Sequence, residues 1–143
     1  MATIGQIADV VRNVAGDRVD LVGLMGPGID PHLYRASEGD VVSLADADIV
    51  FYNGLHLEAK MADVFEKMSG SVTTVAVTDE IDRDELLNPP EFEGAYDPHV
   101  WFDVSKWMFG DRDDSRLAPP RVWTRCRTGE SRGPPPGGPS LGG

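Results

Sequence analysis

The chain has 143 residues, of which 41% are hydrophobic, and a formal net charge of −11 at pH 7. This length and composition fit a single globular domain, and the negative charge argues against a nucleic-acid partner, because phosphate binding needs a basic surface. One cysteine, Cys126, excludes an intrachain disulfide and a thiolate metal cluster, and the absence of an apolar run of 18 residues predicts no transmembrane segment.

Helix-like and strand-like stretches alternate along the first half of the chain. The predicted helices span 4–14, a short segment opened by Ser37 and Asp40 at capping-box spacing, and 55–68; the predicted strands span 18–25, 48–54 and 71–77. This alternation predicts an α/β fold with a parallel sheet flanked by helices.

The start of the chain leaves little room for a first strand. Only Met1 to Thr3 precede the first predicted helix, so we expect the first strand of the sheet to be truncated. The opening MATIGQIADVV has no basic segment followed by an apolar stretch, and no export signal is therefore predicted in this chain. Taken literally, such a chain stays in the cytoplasm.

The region after the last predicted strand is acidic and irregular. Residues 78–95 contain Asn88-Pro89-Pro90 as a breaker and are interpreted as a surface loop, and VWFDVSKWMF (100–109) as the start of a further helix. We expect its large apolar residues to be core residues rather than an aromatic cage. They are Trp101, Phe102, Trp107, Met108 and Phe109.

Residues 110–143 differ in kind from the rest. This segment holds seven glycines and six prolines, and all six of its cationic residues are arginine. Because no apolar periodicity survives, it is predicted to be a disordered tail. A frameshift is the leading hypothesis for its origin, since Arg, Pro and Gly without Lys are typical of GC-rich DNA translated out of frame.

Two of the three histidines lie in an identical tripeptide, Asp-Pro-His, which ends at His32 and at His99. Each motif is predicted to follow a strand, and open α/β sheets bind ligands at the carboxyl ends of their strands. Proline stiffens the backbone that enters the histidine, and a stiff mount suits a zinc or manganese ligand. On spacing alone, a shared metal site and two merely solvated histidines are equally favoured.

Other candidate residues favour structural interpretations. His56 is predicted to open the 55–68 helix as a local hydrogen-bonding residue, and Asp103 to cap the following helix rather than to chelate a metal with His99. Glu58 and Lys60 are interpreted as an exposed helix face. The acidic run 79–93 is interpreted as a solvated loop.

The longer sequences around both motifs resemble those of a known protein family. GIDPHLYRASEGDVVSLADADIVFYNGLHLEAKM (28–61) and DPHVWFDVSKW (97–107) closely resemble the metal-binding receptor proteins of ABC importers for manganese, zinc and iron, the TroA-like group. The resemblance runs from about Ala2 to Met108. It implies two α/β lobes joined by a long helix, with a metal ion held between them.

The resemblance also assigns residues and a function. It implies that His32 and His99 bind the metal from an N-terminal lobe spanning 1–109. A third ligand, His or Glu, and a fourth, Asp, would come from a second lobe that nothing here matches. The implied function is the capture of Mn²⁺ or Zn²⁺ and its delivery to a membrane permease. The intact family member would be periplasmic or lipid-anchored at the cell surface.

Alternatives to this receptor function stay open at this point. A metal-dependent hydrolase would need a general base beside the metal, and no HExxH motif occurs. A nucleotide enzyme is disfavoured because no GxGxxG or P-loop is present. With only two predicted ligands, the chain is alternatively a non-functional fragment that binds metal weakly.

Overall fold

The computed structural model describes residues 1–107. The predicted disordered tail over 110–143, with its frameshift hypothesis, lies outside the described residues, as do Met108 and Phe109.

Four short stretches of chain run parallel, side by side. Strands β1 (Ile49–Tyr52) and β2 (Thr73–Ala76) pair in parallel, with Ile49 opposite Thr73 and Tyr52 opposite Ala76. Ala2 forms parallel bridges to Phe51 in β1 on one side and to Gly23 on the other. The predicted parallel α/β arrangement and both of these strands are confirmed.

Helices flank this sheet. They are α1 (Gly5–Ala15), α2 (Glu38–Ala45), α3 (Ala62–Met68) and the short α4 (Val104–Trp107), with single 3₁₀ turns at Gly16–Arg18, Ala59–Met61, Arg83–Glu85, Pro90–Phe92 and Val100–Phe102. The predicted capping box is present in full: the Ser37 hydroxyl accepts from the Asp40 backbone N–H, and the Asp40 carboxylate accepts from the Ser37 backbone N–H. None of the helices described over residues 1–107 has the length and apolarity to cross a membrane.

The core lies between the sheet and the helices that pack on it. Apolar residues three and four apart turn one face of α1 inward, and the same holds for the segment that leads into α3. The large apolar side chains of the core that are fully or almost fully buried are Ile7, Leu44, Val50, Leu57 and Met61. These side chains pack the helices and the segment before α3 against β1.

The strand predicted over 18–25 is reduced to the single bridge at Gly23. Arg18 is used elsewhere: its guanidinium donates to the carbonyls of Val14 and Ala15 at the carboxyl end of α1. Backbone hydrogen bonds join Ala2 to Val22 and Leu24, and the Met25 N–H donates to the Thr3 carbonyl. Only residues 22–25 are therefore held beside the start of the chain. The strand prediction was therefore too long, because a local helix end competes for its first residues.

The helix predicted over 55–68 begins only at Ala62, after a turn and a 3₁₀ segment. Leu55 and His56 adopt positive φ angles of 50° and 63°, which a helix does not allow. Glu58 is then turned inward and is 4% exposed, so its prediction as an exposed residue was wrong. Lys60 is exposed as predicted.

The acidic loop has a small core of its own. Ile81, Leu86 and Val100 are buried together, with Leu55 and Tyr96 packed against them. Most of the acidic side chains between 79 and 93 are exposed, as predicted. This cluster forms the interior of the segment that carries the second Asp-Pro-His motif.

The predicted core placement of the aromatic residues near the second motif is wrong for Phe102, which is 81% exposed. Trp101 is half-buried, and its ring lies edge-on to the ring of His99 with 5.2 Å between centroids. Both residues lie in a short 3₁₀ turn directly after His99, which leaves no continuous helical face to bury them.

Candidate metal centre

The two Asp-Pro-His motifs fold into the same local structure. The Asp30 carboxylate accepts the backbone N–H of His32 at 2.9 Å, and the Asp97 carboxylate accepts the backbone N–H of His99 at 2.9 Å. Each aspartate thus bonds the backbone two residues further on, an Asx-turn that the intervening proline stiffens. The repeated tripeptide is therefore a repeated rigid mount for a histidine ring.

These two mounts bring the histidines together across 67 residues of sequence. Their Nε2 atoms lie 3.3 Å apart, with ring centroids 5.4 Å apart and ring planes at 56°. Two nitrogen ligands of a tetrahedral zinc ion, each at about 2.0–2.1 Å, are themselves about 3.3–3.4 Å apart. The spacing of the two Nε2 atoms therefore matches that of two neighbouring ligands on one metal ion.

The ring of His99 is oriented by a carboxylate. Its Nδ1 lies 2.7 Å from Asp97 Oδ1, so Nδ1 carries the proton and the Nε2 lone pair faces His32. Burial raises the pKa of Asp97, but hydrogen bonds from the backbone and ring of His99 outweigh this effect and lower that pKa below its ordinary value. A carboxylate behind a histidine ring is the arrangement that fixes the ligating tautomer in metal sites.

The two histidines differ in their surroundings. His32 is exposed, and Asp30 contacts only its backbone N–H. The side chain of His99 is 33% exposed and is held by Asp97. The candidate centre therefore combines one histidine ring that a carboxylate holds with one whose ring has no such contact.

Both rings line an open cleft of about 680 Å³. The loop from Met25 to His32 forms one wall, and the start of α1, His99 and Trp101 complete it. The Met25 N–H donates to the Thr3 carbonyl, which fixes this loop where residues 22–24 leave the sheet. The predicted placement of both histidines beyond strand ends is thus what the structure describes.

A buried carboxylate links the two middle stretches of the sheet, residues 1–3 and the end of β1. Glu58 Oε1 accepts from the Thr3 hydroxyl at 2.7 Å and the Asn53 N–H at 2.8 Å, and Oε2 accepts from the Gly54 N–H at 3.3 Å. Burial raises the pKa of Glu58, and these hydrogen bonds offset part of that rise. Sequence reasoning missed this role because helical periodicity gave Glu58 an outward position.

Asn53 connects this carboxylate to the second motif. Its side chain is fully buried, and Nδ2 donates to the carbonyl of Pro98 at 2.9 Å and to that of Gly54 at 3.1 Å. Its backbone carbonyl accepts both the N–H and the hydroxyl of Thr78, at 3.2 and 2.7 Å. Asn53 was predicted only as part of the strand over 48–54; an amide at the end of a buried apolar strand was the available signal.

The loop of the first motif is tied to α2. The Tyr34 hydroxyl donates to Asp40 Oδ2 at 2.8 Å, the same oxygen that accepts from the backbone and hydroxyl of Ser37. Burial and the adjacent carboxylate raise the pKa of Tyr34 to about 12. The capping box thus also anchors the chain two residues after His32.

The other candidate residues lie apart from this centre. His56 is exposed, does not line the cleft, and forms no hydrogen bond through its ring within residues 1–107, contrary to the predicted local bond. Asp103 accepts from the backbone N–H of Ser105 at 3.0 Å, which confirms its capping role. Residues 1–107 hold no group of three or more histidine, cysteine, aspartate or glutamate side chains that could hold a metal ion.

Comparison with known proteins gives consistent matches to one group. A family described as ZnuA, zinc-uptake complex component A, periplasmic, matches residues 1–109. The zinc-binding protein TroA of Treponema pallidum is 54% identical over 109 residues, 76% of this chain and 35% of its own. The manganese-binding lipoprotein MntA of Bacillus subtilis is 48% identical over the same shares of the two chains.

The fold agrees with these sequence matches. The solved structure of the periplasmic zinc-binding protein TroA from Treponema pallidum superposes with a TM-score of 0.70 at 55% identity, over 74% of this chain and 38% of that one. The chain therefore spans about a third of the length of the curated relatives it matches.

Proposed function

This chain belongs to the ZnuA family of periplasmic zinc-uptake components, as its resemblance to the TroA-like group predicted, and we propose that it forms the metal-binding N-terminal lobe of a solute-binding protein. In this role it captures Zn²⁺ or Mn²⁺ as transported cargo, and the complete protein delivers the ion to the membrane permease of an ABC importer. The lobe ends near Phe109, where the family match ends.

The observation that carries the proposal is the 3.3 Å distance between the Nε2 atoms of His32 and His99. Both nitrogens supply neutral imidazole lone pairs, which suit zinc and its first-row neighbours. Asp97 holds the ring of His99 in the ligating orientation. The remaining coordination positions are filled by water or by residues beyond this lobe.

The chain's part in transport is binding without covalent chemistry. The cleft that contains the two rings is open, so an ion enters directly from solvent and exchanges its water molecules for imidazole. No general base is needed for this exchange. As a member of this family, the complete protein is expected in the periplasm or anchored at the cell surface.

The test is a metal titration of the 143-residue chain with a matched set of histidine variants. We expect Zn²⁺ to bind weakly, Mn²⁺ hardly at all, and His32→Ala and His99→Ala each to abolish the measurable Zn²⁺ binding. His56→Ala is the control, because His56 is the third histidine and lies outside the cleft. Equal Zn²⁺ affinity in all three variants, or submicromolar Mn²⁺ affinity in the parent chain, would contradict the proposal.

A second experiment separates a receptor from a hydrolase. The Zn²⁺-loaded chain is incubated with an activated ester and a phosphoester, and product is followed by absorbance. We expect no turnover above that of the His99→Ala variant with the same zinc. Metal-dependent turnover that requires both His32 and His99 would instead favour the hydrolase alternative.

A further inference from the structure

We propose that Asn53 is a positioning residue for the metal centre: its buried side-chain amide holds the Pro98 carbonyl and thereby sets the place of His99. Asn53 Nδ2 donates to this carbonyl at 2.9 Å, across 45 residues of sequence. The inference rests on the proposed metal binding of His99, and it adds a residue that touches neither metal nor imidazole.

The carbonyl of Pro98 belongs to the peptide unit that also contains the N–H of His99. A peptide unit is planar, so its C=O and N–H point in fixed, opposite directions. The C=O is held by Asn53 at 2.9 Å, and the N–H is held by the Asp97 carboxylate at 2.9 Å. With both ends of one rigid unit fixed, the Cα of His99 has little freedom to move.

The side chain of Asn53 is not needed to hold its own backbone. The N–H of Asn53 donates to Glu58, and its carbonyl accepts two hydrogen bonds from Thr78. These contacts fix residue 53 in the turn after β1 whatever its side chain. The amide is therefore separable from the rest of the buried network.

Stability alone does not explain a buried amide at this position. Asn53 is fully buried, and its Oδ1 accepts no hydrogen bond from the described residues. A buried polar atom without a partner destabilises a fold. Removing the amide relieves that penalty and removes its hydrogen bonds to the carbonyls of Pro98 and Gly54. Because the backbone contacts of residue 53 remain, Asn53→Ala is expected to fold.

The first motif has no such support. Within residues 1–107, no side chain donates to the carbonyl of Pro31, and His32 is exposed. Asn53 therefore acts on one side of the centre only. Its loss should release the ring of His99 and leave the loop of His32 unchanged.

The test compares Asn53→Ala with Thr78→Val in the full 143-residue chain. Thr78 is fully buried and its hydroxyl donates to the Asn53 carbonyl, so Thr78→Val removes a hydrogen bond of the same network without touching Pro98. Two quantities are measured: the Zn²⁺ affinity by competition with a chromophoric chelator, and the ring tautomers of the histidines by ¹⁵N NMR without metal. Thermal unfolding reports the stability of each variant.

We expect Asn53→Ala to weaken Zn²⁺ binding about tenfold, as outer partners of metal ligands do. The His99 ring should lose its single Nδ1–H tautomer, while the backbone signals of the His32 loop stay in place. Thr78→Val should lower stability and change Zn²⁺ affinity less than about twofold. Unchanged affinity and tautomer in Asn53→Ala, or an equal loss in Thr78→Val, would overturn the assignment.

Two further results keep the test decisive. If Asn53→Ala does not fold, the side-chain amide protons of Asn53 are followed in the parent chain, where Zn²⁺ should slow their exchange; no change would overturn the proposal. If the parent chain shows no Zn²⁺ binding that depends on His99, the proposed function fails, and the metal-free tautomer of His99 still decides the role of Asn53.

Discussion

The two Asp-Pro-His motifs allow the contribution of one contact of the candidate metal centre, that between Asp97 and the His99 ring, to be measured separately. Asp97→Ala removes two hydrogen bonds, one to the backbone N–H of His99 and one to its ring Nδ1, whereas Asp30→Ala removes only the equivalent backbone bond to His32. The backbone contacts are alike at 2.9 Å, so they cancel in the comparison. The difference between the two variants is the ring contact.

A hydrogen bond to a charged group contributes about 1.5–3 kcal/mol, and each 1.4 kcal/mol is about a factor of ten in affinity. We therefore expect Asp97→Ala to weaken Zn²⁺ binding about 10- to 100-fold more than Asp30→Ala does. This range agrees with the usual effect of the carboxylate behind a metal-bound histidine, about 10–100-fold.

The assay is a Zn²⁺ titration of the parent chain and both variants against a chelator of known affinity, at one pH and ionic strength. Circular dichroism and thermal unfolding verify that each variant is folded. Asp97→Asn is the conservative control, since its carbonyl oxygen can still accept from the ring. Equal losses in Asp97→Ala and Asp30→Ala would refute the reasoning, because the ring contact would then contribute nothing to binding.

Three more predictions concern the framework of the centre. Gly54→Ala should destabilise the chain by about 2 kcal/mol or more in urea unfolding, because Gly54 has φ +86° and a Cβ there would lie 2.7 Å from a buried hydroxyl oxygen; Gly70→Ala, with no neighbour within 4 Å, is the control. Glu58 has a raised folded pKa, so its contribution to stability is largest below its unfolded value of 4.5 and is lost as pH rises through the folded value. Above about pH 4.5, the free energy of unfolding of Glu58→Gln should therefore rise relative to that of the parent chain. If the free energies of unfolding of the two chains vary with pH in parallel, the prediction is wrong. Tyr34, with its pKa raised from 10.0 to about 12, should ionise late in a spectrophotometric titration, and the stability that it contributes is lost as pH rises through that range. Because burial also raises the pKa of Tyr52, Tyr34→Phe should reduce the late phase to the contribution of Tyr52, and an undiminished late phase would contradict the prediction.

Local sequence signals predicted the elements whose determinants are themselves local. The apolar spacing in residues 4–14 predicted α1, and Ser37 with Asp40 predicted the start of α2, because both depend on contacts three and four residues apart. The β-rich runs predicted β1 and β2 for the same reason. Besides the strand over 18–25 and the placement of Phe102, the prediction failed at the start of the 55–68 helix, where contacts distant in sequence override the local pattern.

Glu58 shows why that segment could not be predicted. Helical periodicity leaves its carboxylate on an outer face, yet the structure buries it against the Thr3 hydroxyl, 55 residues away. Leu55 and His56, just before Glu58, adopt left-handed φ angles. Burial of a carboxylate is stable only when hydrogen-bond donors compensate it. A donor this distant in sequence cannot be predicted from a pattern that spans one or two helical turns.

A repeated tripeptide indicated the candidate site, and the resemblance to the TroA-like group assigned its two histidines, whereas the residues that orient them were not predicted. The recurrence of the same three residues beyond two strands left a shared site and two solvated histidines equally favoured. The contact of Asp97 with the ring of His99 has no counterpart at Asp30, although the two motifs are identical in sequence. Identical tripeptides thus differ in function through their surroundings, which a motif does not encode.

The asymmetry between the two histidines bears on how a metal could be chosen. Two imidazoles alone favour first-row ions in the Irving–Williams order, in which Mn²⁺ ranks below Zn²⁺. Nothing in the geometry of His32 and His99 reverses that order, because a 3.3 Å separation of their Nε2 atoms fits tetrahedral zinc as it stands. Any preference for Mn²⁺ would therefore have to come from ligands beyond residues 1–107 that enforce a larger coordination number or supply harder oxygen donors. Since His99 is held by Asp97 and the Asn53 amide while His32 is exposed, His32 is the residue that would adjust to such a shell.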